Sequence, residues 1–138
     1  MLAAAAVIVA GLMVAAVLLF ATSGGGPTKN RPFSAGLASA LRSNIRDQGP
    51  QLIADPFGGN RSFYLALEDH KIVALWDIVP GTKDCVVKLK QESTRYVDCH
   101  GTRVMTTDLD RYEVDIPVAG SSKGLLLVDL RKRLPAPG

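Results

Sequence analysis

Cys99-His100-Gly101-Thr102, with Asp98 just before it and Cys85 fourteen positions upstream, gathers the residues of this chain best able to do chemistry. Thiolate and imidazole are the usual ligands of zinc and of iron–sulfur clusters. The same two sulfurs can instead cross-link, or stay free thiols in a reducing compartment. No Cys-x-x-Cys pair is present, which argues against a dithiol oxidoreductase. A mononuclear metal site needs about three or four protein ligands. Asp98 and His70 are the donors that could join His100, and a histidine that only hydrogen-bonds within its loop is the expected outcome.

Other polar groupings are weaker. Asp108, Asp110, Glu113 and Asp115 could in principle supply a glycosidase-like carboxylate pair, but acids alternating along a strand are the ordinary composition of a wet face. Arg131-Lys132-Arg133 could meet phosphate or lipid headgroups, and reads first as a solvated tail. Trp76 is expected in the core. The glycine clusters lack the Lys-Ser/Thr of a phosphate-binding loop, and no nucleophile–histidine–acid set appears. The net charge of +3 is mild, and no basic stripe is interleaved with aromatics. Nucleic acid is therefore not expected as a partner. Nothing points to an enzyme, a cofactor or a small-molecule substrate.

The elements that must position these residues fall into two solvent classes. Leu2 to Ala21 carries no charge. Twenty helical residues span about 30 Å, the thickness of a bilayer's hydrocarbon core. The run has no basic start and is longer than a signal peptide's apolar stretch of roughly 7–15 residues, so a retained transmembrane helix is expected over 1–22. Ala6 and Ala10, and Gly11 and Ala15, have the small-xxx-small spacing that lets helices pack closely in lipid. Ser23-Gly24-Gly25-Gly26-Pro27 opens a flexible linker over 23–33. The remaining domain is expected over 34–134, with a short tail at 135–138. Ser34 is expected to cap a short helix whose Leu37, Leu41 and Ile45 share a face, stopped by Gly49-Pro50. Strands follow at Gln51 to Ala54, Phe63 to Leu67, Ile72 to Asp77, Val86 to Lys90, Arg95 to Cys99, Tyr112 to Val118 and Leu125 to Leu130. Short strands with turns roughly every 8–12 residues predict an all-β antiparallel sandwich or small barrel.

The stretch from about Gly49 to Leu130 resembles the Rieske iron–sulfur family. There, two loops of the form C-x-H-x-G-C and C-x-C-H-G-S each give one Cys and one His to a [2Fe–2S] cluster. Pro80-Gly81-Thr82-Lys83-Asp84-Cys85 falls where the first loop belongs, and Val97-Asp98-Cys99-His100-Gly101-Thr102 where the second belongs. The ligand positions hold Pro80, Thr82, Val97 and His100, so only one ligand type remains, and a Rieske cluster is not expected. Cys85 and Cys99 match the family's structural pair, and the resemblance implies a disulfide between them. A disulfide places the domain in an oxidising compartment. Lys29, Arg31, Arg42 and Arg46, which follow the apolar run, favour the cytoplasmic side instead; the outer side that a disulfide requires is the expectation.

The resulting expectation is a single-pass plasma-membrane protein with a cluster-free, Rieske-like domain on the outer face. The resemblance implies a non-catalytic accessory subunit docked to other membrane subunits of a bacterial respiratory complex and to the bilayer. Quinol–cytochrome c reductase (cytochrome bc1) and cytochrome oxidase assemblies, such as an actinobacterial supercomplex of the two, are the candidates. The alternative is a redox or metal-handling protein using Cys85, Cys99 and His100.

Overall fold

The computed structural model describes residues 31–138. The expected anchor over 1–22 and the linker as far as residue 30 lie outside the described residues. Among the described residues, no helix is long and apolar enough to cross a membrane.

The fold is mostly antiparallel β, with one short helix. Strand β1 is Phe33–Leu37 and helix α1 is Ala38–Gln48. Ser34 therefore does not cap the helix as expected. It lies inside β1, opposite Leu127 of the last strand. The helix starts later because its first free amide already has a partner: the Ala38 N–H donates to the Gly124 carbonyl at 2.9 Å, replacing a side-chain cap. The inward stripe of α1 shifts accordingly to buried Ala38 and Ile45 with half-buried Leu41 between them, while Leu37 is exposed. Gly49 ends the helix in the left-handed region (φ 88°), its N–H donating to the Ile45 carbonyl at 2.8 Å.

Eight strands follow: β2 (Gln51–Ile53), β3 (Phe63–Glu68), β4 (Lys71–Trp76), β5 (Lys88–Lys90), β6 (Arg95–Val97), β7 (Arg103–Val104), β8 (Arg111–Asp115) and β9 (Leu125–Leu134). One 3-10 turn, Thr106–Asp108, precedes β8. A two-residue turn joins β3 to β4. Both its residues, Asp69 and His70, have positive φ (47° and 65°), as a tight hairpin requires. Several expected strands are shorter: β5 begins at Lys88 rather than Val86, β6 ends at Val97 rather than Cys99, and β8 ends at Asp115. β9 instead runs past Leu130 to Leu134.

The strands form two sheets. The larger, a half-barrel, has the order β1-β9-β8-β4-β3-β2, and the smaller is β5-β6-β7. The expected antiparallel β class is thus found, as a half-barrel with a separate three-stranded sheet where a sandwich or small barrel was expected. The central hairpin β3–β4 is covered on both faces. Alternation sends Phe63 and Leu65 of β3, with Ile72, Ala74 and Trp76 of β4, to the face under α1. Tyr64, Ala66 and Leu75 go to the opposite face, where they meet Val87, Tyr96 and Leu109 below the small sheet. The Tyr64 hydroxyl fastens the two sheets: it donates to the Val87 carbonyl (3.0 Å) and accepts from the Leu89 N–H (3.2 Å).

Candidate functional site

Two loops converge at one end of the small sheet. The first leaves β4 and returns to β5. Its stem is an Ile78–Val86 bridge, closed by the Val87 N–H donating to the Asp77 carbonyl (2.7 Å) and the Val79 N–H donating to that of Cys85 (3.0 Å). At its tip, the Thr82 N–H and hydroxyl both donate to the Val79 carbonyl, at 3.1 and 2.7 Å, while Gly81 supplies the positive φ of 82° that the turn needs. Pro80 and Thr82 are therefore turn-building residues.

The second loop joins β6 to β7 and is organised by Asp98. Its carboxylate accepts the N–H groups of both His100 and Thr102 at 2.8 Å, its own N–H donates to the Thr102 carbonyl (2.8 Å), and its carbonyl accepts the Gly101 N–H (3.0 Å). This is the Asx-type turn that an aspartate offers a loop. It holds Cys99, His100 and Gly101 outward.

A disulfide joins the loops through Cys85 and Cys99, whose Cα atoms are 5.1 Å apart, and the Cys99 N–H donates to the Cys85 sulfur at 3.3 Å. Cys85 is buried, while Cys99 and His100 are exposed. A donor atom of His100 and the two sulfurs lie within 4.8 Å of one another. In this oxidised state neither sulfur is a thiolate, the form that ligates metal. Beneath the first loop, Asp77 is buried, and burial pushes its carboxyl above the ordinary carboxylate value.

The other groupings singled out in the sequence lie elsewhere. His70 is a turn residue of the β3–β4 hairpin and does not join the Cys85–Cys99–His100 cluster. Three of the four acids have partners of their own. Asp108 accepts the Met105 N–H, Asp110 pairs with Arg133 (3.4 Å), and Glu113 pairs with Lys132 (3.1 Å). They do not form a facing carboxylate pair with a shared purpose. Arg131-Lys132-Arg133 is no loose tail: it is part of β9, tied to Asp129, Glu113 and Asp110 respectively. Trp76 is buried, its indole N–H donating to the Asn60 carbonyl at 3.2 Å, and the Arg133 guanidinium covers its ring at 4.0 Å from the centroid.

One grouping was not singled out from the sequence. Lys88, Lys90, Arg95 and Arg103 all lie on the outward face of the small sheet, since the inward positions are Leu89, Tyr96 and Val104. The signal was the alternation Lys-Leu-Lys before a turn and Arg-Tyr-Val after it. Read residue by residue this is merely polar; folded as a hairpin it puts every cation on one side.

Compared with known protein families, with curated proteins and with solved structures, the chain shows no match.

Proposed function

We propose that this chain is a non-catalytic docking subunit of a membrane-bound complex, its disulfide-tied β domain acting as a structural piece on the outer face. The observation that carries this reading is the Cys85–Cys99 link between two loops whose other prominent side chains, Pro80, Thr82 and Asp98, are engaged in building turns. The loops are braced by their own hydrogen bonds and need no metal to hold their shape. A disulfide fits an oxidising compartment, and the uncharged Leu2–Ala21 run supplies a means of attachment. The resemblance of the two loops to the cluster loops of Rieske proteins is what favours a respiratory assembly of the reductase or oxidase type as the complex. The test is extraction of the full chain from its native membrane in mild detergent, followed by analysis of what travels with it. Co-purifying cytochrome subunits in fixed ratio, with their haem absorbance, are expected; a chain that migrates alone sinks the reading.

The second reading is a redox or metal-handling protein. It draws on the closeness of Cys85, Cys99 and His100 and on the exposure of the latter two. Reduction would yield two thiols beside one imidazole, a donor set suited to zinc with an open fourth position. Thiol titration and metal analysis after mild reduction decide it. One equivalent of tightly held zinc, lost in His100→Ala, supports this second reading, and none removes it.

A further inference from the structure

We infer that the outward face of the β5-β6-β7 sheet docks an acidic protein segment in extended conformation. This deepens the docking reading above and rests on it.

Among the described residues, the cations of the large sheet are matched, Lys71 at the start of β4 apart: Arg111 with Glu68, Arg131 with Asp129, Lys132 with Glu113 and Arg133 with Asp110. Lys88, Lys90, Arg95 and Arg103 make no ion pair and are all exposed. The register sets Lys90 directly opposite Arg95, and like charges in that position destabilise a strand pair. Three-residue strands have little stability to spare. A cost kept in so small a sheet is relieved by an anion brought to it.

Geometry then narrows the occupant. Lys90, Arg95, Val97 and Arg103 line a half-open hollow of about 730 Å³, with Glu92 of the β5–β6 turn also touching it. A flat bilayer meets a hollow only at its edges, whereas a polypeptide segment can enter. Same-face residues along a strand lie about 7 Å apart and neighbouring strands about 4.8 Å apart. The cations thus form a grid that alternate carboxylates of an extended chain can match, with Arg95 and Arg103 suited to bidentate carboxylate contacts. Val97, opposite both Lys88 and Arg103, gives the grid an apolar centre. No aromatic residue is on this face for a base to stack on. The chain cannot fill the site with its own first thirty residues, which contain no Asp or Glu.

The test uses the full chain in phosphatidylcholine nanodiscs and labelled poly-L-glutamate followed by anisotropy. Binding that weakens as salt rises is expected. Changing Lys88, Lys90, Arg95 and Arg103 all to Glu should weaken it roughly 100-fold. Should that variant fail to fold, Arg95→Glu alone, which sets opposite charges across the β5–β6 pair, should melt no lower than the parent and still bind severalfold more weakly. Unchanged affinity in the folded variants, or no binding by the parent, overturns the proposal. So does tighter binding of single-stranded DNA. Protection of β5–β7 amides in phosphatidylglycerol discs without polyglutamate binding also overturns it. Polyglutamate binding by a chain that co-purifies with nothing would leave this face standing while removing the complex-subunit reading; co-purification without polyglutamate binding would do the reverse.

Discussion

Asp55 shows how much one side chain can organise. Its carboxylate, almost fully buried, accepts the N–H groups of Phe57 (2.8 Å) and Arg61 (3.0 Å) and the Arg61 guanidinium at 3.1 Å. Burial pushes its pKa up, but these donors outweigh burial and leave it below the ordinary 3.8. Glu68 is held low in the same way, chiefly by its bidentate bond to Arg111. A carboxyl with a depressed folded pKa binds its proton less readily than the unfolded chain does. Its contribution to stability is complete above the unfolded value and is lost as pH falls through the folded one. The domain should therefore lose stability on going from about pH 7 to about pH 3. Asp55→Asn, which keeps one acceptor oxygen and turns the other into a donor facing either the Phe57 N–H or the Arg61 N–H and guanidinium, should cost about 3 kcal/mol at neutral pH. Its melting temperature should also depend less on pH below 3.8 than the parent's, and thermal melts from neutral pH down through that range check both points. Gly59 has no room for a side chain here, since a Cβ would come within 2.7 Å of the Asp55 carboxylate. None of this could be read from Asp55-Pro56-Phe57-Gly58-Gly59 beyond the expectation of a turn.

At the scale of elements, the small sheet depends on its attachments. Strands of two and three residues do not persist alone. They are held by the Tyr64 hydroxyl, the Tyr64–Tyr96 edge contact and the Cys85–Cys99 disulfide. Closing a loop of this length stabilises by about 3 kcal/mol through restriction of the unfolded chain. Replacing both cysteines by serine should remove about that much. Hydrogen exchange should locate the loss: amides of β5, β6 and β7 should exchange faster while those of β3 and β4 keep their protection. Uniform loss throughout would mean that the small sheet is no separate unit. The hairpins were legible because alternation and turn residues coincide, as in Phe63 to Asp77. β1 was not, since Phe33-Ser34-Ala35-Gly36-Leu37 has a strand's form only through pairing with β9, with an irregularity at Ser34–Gly36. The extension of β9 was hidden because three consecutive cations look solvated until Glu113 and Asp110, distant in sequence, are brought alongside Lys132 and Arg133. The two candidate loops were legible in position, and the Cys85–Cys99 link through family resemblance; the turn-building roles of Asp98 and Thr82 emerge only from their hydrogen bonds.

For the whole molecule, the sheet order places β1, the first strand among the described residues, at one edge beside β9, and β2 at the opposite edge. α1 crosses between them over the core, joined to β1 without a spacer residue. Phe33 is paired with Val128, and β9 continues beyond that point to Leu134. Pulling the two ends of the domain apart therefore loads the β1–β9 bonds one after another, starting at Phe33. Optical-tweezer extension from handles beside Phe33 and Leu134 should show an early, low-force step that releases β1 and α1, followed by the rest; a single all-or-none rupture would contradict this. The absent spacer means that β1 cannot yield quietly. Once peeled, it draws α1 away and bares Ile45 and Phe63 to water, while the disulfide-tied sheet is still closed. A domain hung from its N-terminal side would thus act as a fuse under load, opening first at the end that holds it and last at the disulfide-tied sheet.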